Sequence, residues 1–255
     1  SGGYNSSRFS FSVSVISGTD TRMERDYDWS SACFEEDLHS PEEIGKRAGE
    51  RATRRLNPRK AASGAVPVVY DPRVSGGLIR HLSGAISGSS VARGTSFLKD
   101  RLNQSVFASS VQVIDDPHRK RGLRSRPFDG EGAPTTSRHI VKDGVLATWL
   151  LDSRSARQLK LRSTGHAARQ TGGLPAPAPS NLYLAPGKVS PEALIADIDS
   201  GMYVTELIGM GVNGVTGDYS RGAAGYWIDK GEIAWPVSEL TVAGNLSNMF
   251  THLTP

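Results

Sequence analysis

The stretch from Gly209 to Leu246 constrains the fold of this 255-residue chain more than any other segment. Glycines at 209, 211, 214, 217, 222 and 225 permit positive φ and close backbone approach. After them, the apolar runs 226–228 and 233–235 flank the sequence Asp229-Lys230-Gly231. This pattern predicts two short strands around a three-residue turn that ends in Gly. The segment is therefore predicted to be a Gly-rich loop that leads into a β-hairpin.

Length and composition predict one domain over residues 1–255, since a chain of this length can bury a substantial core. No apolar run approaches the ~20 residues of a membrane span, so a membrane is not an expected partner. Nothing in the first residues resembles a secretion leader, and a predicted strand begins almost at once, as expected for the later part of a longer protein. The net charge is +4, with much of the excess between Arg119 and Arg126.

Apolar periodicity predicts an α+β fold with a mostly antiparallel sheet, hairpins and about three helices. The helices are predicted after Ser40, over 74–87 and after Ser190, because each shows a cap or an apolar stripe. Asp143-Gly144 is the strongest local hairpin signal. A short helix is predicted over 153–160, a polar loop over 115–138 and an exposed linker over 163–180. Strands are predicted at 9–15, 21–29, 66–70, 111–114, 181–184 and 202–208.

Several reactive side chains allow both a structural and a functional interpretation. The single cysteine, Cys33, is interpreted as a buried thiol, and the first helix has a basic face that is interpreted as solvated (Lys46, Arg47, Arg51, Arg54 and Arg55). His81 lies on a predicted helix that lacks the paired histidine and the glutamate of a zinc protease, and the isolated His166 and His252 are interpreted as surface or hydrogen-bonded histidines. The polar loop carries acids and one histidine that match no standard ligand motif, so a solvated loop is the favoured interpretation; they are Asp115, Asp116, His118, Asp129 and Glu131.

The sequence of the Gly-rich stretch, GVNGVTGDYSRGAAGYWIDKGEIAWPVSELTVAGNL, resembles the end of the PmbA (TldE) branch of the TldD/PmbA family. Further similarities run along the chain: SGGY, ERDY at 24–27, SGAISGSS, TSFLKD, DPH, RPFDGEG and SNLYLAPG. The resemblance covers essentially all 255 residues and is to the carboxy-terminal domain, without the family's amino-terminal α/β domain.

This resemblance implies a cytoplasmic zinc metallopeptidase of two related subunits that acts on small or unfolded peptides. In the TldD branch, a helical H-E-x-x-x-H motif and a later cysteine hold the metal. Placed on this chain, that motif falls on Ile79 to Gly84, which lack the required residues, and Cys33 lies far upstream. The resemblance therefore implies no catalytic or metal residue and no cofactor in this chain, with zinc expected in a TldD-like partner; a homodimer is a further possibility.

The glycines and hairpin suggest a surface that adds an extended peptide as a strand. We expect this wall to consist of Gly217, Asp218, Tyr219, Ser220, Arg221 and Gly222. In the alternative, the glycines serve tight turns and the hairpin builds the dimer interface. Two other functions stay open: a basic, gyrase-modulator-type module around residues 119–126, for which nucleic acid is not the favoured partner, and a self-sufficient hydrolase that uses the acids of 115–131.

Overall fold

The computed structural model describes residues 2–255, and the chain divides into two compact units. The first unit consists of Ser1–Val74, Pro191–Ile208 and Gly222–Thr241, and the second of Ser75–Ser190, Gly209–Arg221 and Val242–Pro255. Within residues 2–255, no helix has the length and apolar character needed to cross a bilayer. The single domain predicted for residues 1–255 stays a prediction.

The described residues form twelve strands and six α-helices, which confirms the α+β class, although with more helices than the three expected. The two unpredicted helices, α3 and α6, have five and six residues, too few to show an apolar stripe. In chain order the elements are β1 (Phe9–Ser17), β2 (Glu24–Ala32), α1 (Pro41–Arg54), β3 (Val68–Tyr70), α2 (Pro72–Ala85), α3 (Gly88–Ala92), β4 (Val113–Asp115), β5 (Arg138–Lys142), β6 (Val145–Leu146), α4 (Ser153–Gln158), β7 (Ala167–Ala168), β8 (Ala176–Pro177), β9 (Leu182–Leu184), α5 (Pro191–Ala196), β10 (Ser200–Ile208), β11 (Asp218–Asp229), β12 (Glu232–Asn245) and α6 (Leu246–Thr251).

In the first unit, helix α1 packs against the antiparallel pair β1 and β2. The Ser40 hydroxyl accepts a hydrogen bond from the Glu43 amide and caps the helix, as its sequence predicts. Ile44, Ala48 and Ala52 are fully buried on one face of α1. A mixed sheet completes this unit: β10 pairs with β11 antiparallel and with β3 parallel.

In the second unit, a four-stranded antiparallel sheet has the order β6-β5-β4-β9. Asp143 and Gly144 have φ of 51° and 77°, which confirms the predicted two-residue hairpin turn between β5 and β6. Helix α4 begins at a capping box in which Asp152 accepts from the Ser155 amide. The core includes Phe107 stacked on Phe250, with ring centroids 4.4 Å apart.

The hairpin that follows the Gly-rich loop differs from its prediction in length and in turn. Strands β11 and β12 have 12 and 14 residues, rather than being short. They are joined by two residues, Lys230 and Gly231, with φ of 50° and 81°. Asp229 is the last residue of β11, so the predicted three-residue turn is wrong. The two-residue turn suits the hairpin, because positive φ at both positions matches the right-handed twist of the strands.

Three interpretations of exposure were also wrong. Arg55 is buried rather than solvated, because carboxylates surround it. Cys33 is half-buried rather than a core thiol. The predicted linker 163–180 contains the pair β7 and β8, and its ends at His166 and Ser180 are buried. Polar partners remote in sequence bury Arg55, His166 and Ser180, and a local pattern does not reveal such partners.

Candidate functional site

The Gly-rich segment 209–222 folds back on the start of β11 instead of opening outward. Its chain reverses through Gly209 and Gly217, which have φ of 80° and 83°. The Ser220 amide donates to the Gly211 carbonyl at 2.6 Å, and the Asn213 amide donates to the Asp218 carbonyl at 2.8 Å. The segment is therefore a compact turn whose backbone pairs with β11 itself.

The other edge of this segment is also hydrogen-bonded to residues of this chain. Strand β12 is the neighbour of β11 in the sheet, and the Leu246 amide donates to the Gly217 carbonyl at 2.7 Å. The Asn245 side chain donates to the Thr216 carbonyl and to the Asp218 carboxylate, at 3.0 and 3.2 Å. Because both edges hold partners from this chain, an extended peptide that paired here as a strand would have to displace one of them.

The six residues expected to form a wall divide by exposure. Gly217 and Tyr219 are buried, whereas Asp218 and Ser220 are exposed. Arg221 and Gly222 are intermediate. This alternation is that of a strand with one covered face, so the outward face carries the side chains of positions 218 and 220.

The exposed face carries a fixed negative charge beside an apolar loop. Hydrogen bonds from Thr216 and Asn245 lower the pKa of Asp218 below its ordinary value. Met210 is 92% exposed and Val215 is 55% exposed in the preceding loop. This part of the surface thus presents one carboxylate and, in the preceding loop, two exposed apolar side chains.

Helix α2 carries the positions on which a TldD-type zinc motif would fall. His81 is the imidazole there, and its ring meets the ring of Tyr219 edge-on with centroids 5.9 Å apart. Burial lowers the pKa of His81, and the charges of Arg221 and Arg80 lower it further. Two guanidinium groups beside one imidazole make a site that opposes a divalent cation. In the described part of the chain, no three metal-binding side chains come together.

Two acids of the polar loop, Asp115 and Asp129, are buried and hold the loop together, whereas Glu131 is exposed. Asp129 accepts from the amides of Glu131, Ala133 and Ala167. Glu131 accepts from the Ser153 amide at 2.8 Å. The solvated-loop interpretation was therefore wrong for the buried Asp115 and Asp129, and these contacts do not favour a hydrolase built on 115–131.

A buried polar network centred on Asp115 was missed by sequence reasoning. One carboxylate oxygen accepts from the Ser180 hydroxyl at 2.6 Å and meets His166 Nε2 at 3.2 Å. The other accepts from the Ser180 amide, and Thr164 Oγ1 lies 2.8 Å from His166 Nδ1. Since His166 and Ser180 both bind the carboxylate and not each other, this is no nucleophile–base pair. His166 and Ser180 lie 51 and 65 positions from Asp115 in sequence, so no local spacing predicts this network.

The basic run 119–126 does not present all its charges outward. Arg119 lies over the Tyr183 ring at 5.0 Å, and Arg126 donates to the Ala178 carbonyl at 3.2 Å. Arg119, Lys120, Arg121 and Arg124 are exposed, and Arg126 is half-buried. His252 is exposed and hydrogen-bonded to the Asn248 carbonyl, which fits its interpretation. The run thus serves packing as well as charge, and it gives limited support to a nucleic-acid module.

Comparisons with known proteins identify relatives across the whole chain. Residues 63–255 match the family model described as the PmbA/TldA metallopeptidase C-terminal domain, and residues 1–56 match the PmbA/TldA metallopeptidase central domain. The chain is 44% identical over 251 residues to the metalloprotease PmbA of Escherichia coli O157:H7, a match that covers 98% of this chain and 54% of that protein. The chain thus spans about half the length of the curated relatives it matches.

Solved structures show the same fold. A protein of Bacteroides thetaiotaomicron described as a modulator of DNA gyrase superposes with a TM-score of 0.87 at 31% identity, over 97% of this chain and 54% of that one. TldE of Thermococcus kodakarensis superposes with a TM-score of 0.86 at 22% identity, over 96% of this chain and 56% of that one. At that identity the second likeness concerns the fold alone.

Proposed function

This chain belongs to the TldD/PmbA family of metallopeptidases, and on that premise we propose that it acts as a PmbA/TldE-like subunit of a zinc metallopeptidase complex. Its partner is a TldD-like subunit, which holds the zinc, and the substrate is a peptide or an unfolded protein segment. The cytoplasmic location that the family implies is part of the same proposal.

The observation that carries the proposal is the environment of His81. A zinc peptidase helix supplies two imidazoles to the metal and a carboxylate to the attacking water. Positions 79–84 supply one imidazole, with the charges of Arg80 and Arg221 beside it. These residues do not fit a zinc ion, so a catalytic metal in the complex is assigned to the partner.

Metal analysis combined with a peptidase assay tests this assignment. We expect the purified chain to bind much less than one zinc per chain and to cleave no peptide until a TldD-like protein is added. His81→Ala should leave the zinc content and turnover of the complex unchanged, as should His252→Ala, its exposed control. Stoichiometric zinc together with activity in the isolated chain would overturn the proposal.

We assign the subunit or substrate contact to the outward face of the Gly-rich segment, at Asp218, Ser220 and the exposed Met210. The satisfied backbone favours contact through side chains over strand addition. Ser220→Arg adds bulk and charge at an exposed strand position, and Ser12→Arg does the same on β1. Turnover lost with assembly intact supports a peptide-facing role for Ser220, whereas loss of assembly supports the interface. If neither property changes relative to Ser12→Arg, this face has neither role.

A further inference from the structure

An open cleft of about 330 Å³ lies in the first unit, away from the Gly-rich segment in sequence. Its lining comes from β2, from His39 in the segment before α1, from α1 and from the start of α2. This volume is at the lower end of known ligand sites, which suits a single amino-acid residue rather than a large cofactor. Six of its lining residues carry the chemistry: Asp28, Trp29, His39, Arg47, Arg51 and Arg73.

Two guanidinium groups of this cleft share one carboxylate oxygen. Arg47 Nε donates to Asp28 Oδ2 at 2.6 Å, and Arg51 Nη1 lies 3.3 Å from the same oxygen. Within residues 2–255, that Arg51 nitrogen is buried and has no partner in hydrogen-bond geometry. The second oxygen of Asp28 is taken by the Trp29 amide at 2.9 Å. One carboxylate, that of Asp28, is therefore shared between two arginines.

The acids around this site lie behind the arginines. Arg73 donates to Asp26 and Asp71, and Arg55 pairs with Glu206. The carboxylate side chains of this cluster are only 2% to 18% exposed, whereas those of Arg47 and Arg51 are 36% and 33% exposed. His39 also lines the cleft and lies 4.0 Å from the exposed Glu43. Although the charges of the cluster roughly balance, the side chains of Arg47 and Arg51 are its more exposed members at the cleft.

The rim of the cleft adds a flat apolar surface. The Trp29 indole is 39% exposed, and it stacks on Tyr27 with centroids 5.7 Å apart and an interplanar angle of 20°. Stacking holds the indole in place, so one face can receive another planar group at little entropic cost. Guanidinium groups match the planar geometry of a carboxylate, so the two arginines at the cleft, Arg47 and Arg51, suit a carboxylate ligand.

We propose that this cleft binds the carboxylate of a peptide carboxy terminus or of a free N-acylated amino acid, with an aromatic side chain stacked on Trp29. Arg51 and Arg47 bind the carboxylate, and Trp29 favours an aromatic residue over a small one. The site is independent of the metal and of the Gly-rich face, so it can be tested without any peptidase activity.

Calorimetric titration of the full chain with N-acetyl-L-phenylalanine tests the site directly. We expect a dissociation constant of about 1 mM, the range of a small fragment with one charged contact. N-acetyl-L-phenylalanine amide should bind at least about tenfold more weakly, because it lacks the charge. Equal binding of the acid and the amide would overturn the proposal. So would the absence of binding of the acid at a concentration about tenfold above the expected dissociation constant. Competition by inorganic phosphate at equal strength would also overturn it, because it would show a general anion site.

Two variants and one control locate the binding. Arg51→Gln should weaken binding of the acid about tenfold, whereas Arg54→Gln makes the same change on the same helix, where the guanidinium lies over Tyr226, and should leave it unchanged. Because Trp29 is partly exposed, Trp29→Ala should preserve the fold. This variant should abolish the preference for N-acetyl-L-phenylalanine over N-acetylglycine. Circular dichroism confirms that each variant is folded. Identical affinities in a folded Arg51→Gln and in Arg54→Gln would exclude the cleft.

Discussion

The two units bury polar groups by opposite means. In the first, buried carboxylates meet guanidinium groups, as where Arg55 contacts Glu206 at 2.7 Å. In the second, Asp115 and Asp129 are held by backbone amides, a hydroxyl and an imidazole. An ion cluster is satisfied by long side chains from several elements, whereas an amide-bound carboxylate fixes the course of a loop. The cluster of the first unit accordingly reaches water at Arg47 and Arg51, whereas Asp115, His166 and Ser180 of the second are buried.

The largest expected effect comes from removing one member of the buried ion cluster. Arg55→Ala leaves Glu24, Asp26 and Glu206 without a shared cation. We expect the free energy of unfolding to fall by about 3 kcal/mol, the low end for a broken buried ion pair, since Arg73 still contacts Asp26 and Arg25 still contacts Glu206. Urea unfolding followed by circular dichroism measures this loss.

The matched control for that variant is Arg54→Ala on the neighbouring exposed position. It removes a contact with the face of Tyr226 and should cost about 0.5–1 kcal/mol. Equal losses for the two variants would show that the cluster around Arg55 is no more stabilising than a surface contact, and the contrast between the units would fail.

Removing the buried carboxylate of Asp115 in the second unit should reduce stability less than Arg55→Ala does. Asp115→Ala leaves the donors of Ser180 and His166 unsatisfied in the interior, and we expect a loss of about 1–3 kcal/mol. Asp116→Ala removes a half-buried neighbour that accepts from the His118 amide, and it should cost about 0.5 kcal/mol. Thermal unfolding compares the two, and a larger loss for Asp116 would mean that the network does not anchor this loop.

Local sequence patterns predicted the elements of both units better than their polar centres. Helix α1 was predicted from Ser40 before Pro41 and from the apolar stripe Ile44, Ala48, Ala52, because caps and apolar spacing act within one or two turns. Asp143-Gly144 gave its hairpin for the same reason.

The polar centres depend on pairs remote in sequence. Arg55 and Glu206 are 151 positions apart, and Asp115 and Ser180 are 65 apart. A charged residue on a helix face is solvated by default, so only the tertiary structure shows that Arg55 is not. The wall at 217–222 was predicted as a set of exposed positions, yet the period of a strand buries Tyr219 and leaves Ser220 outside.

A single hydroxyl of the second unit should have a smaller effect. Ser180→Ala removes one hydrogen bond to Asp115 but keeps the bond from the Ser180 amide. We expect a loss of about 1 kcal/mol, the net value of one buried hydrogen bond. Hydrogen exchange of the Ser180 amide should still show protection, because its bond to Asp115 remains; a fully exchanging amide would mean that the hydroxyl alone holds the loop.

The smallest expected effect concerns Asp28, where the ion cluster of the first unit reaches water. Burial alone would raise the pKa of Asp28, but hydrogen bonds from Arg47 and the Trp29 amide, with the charge of Arg51, lower its pKa below the ordinary 3.8. A lowered folded-state pKa stabilises the fold above about pH 3.8 and loses that contribution as pH falls further through the folded-state pKa. Asp28→Asn should therefore be less stable than the parent chain at pH 6, and the difference should shrink below pH 3.8. Unfolding midpoints across this range measure the effect, with Asp20→Asn as the exposed control. If the difference between Asp28→Asn and the parent stays constant as the pH falls, the arginines do not act on Asp28 through its charge, and the electrostatic basis of the contrast between the units is removed.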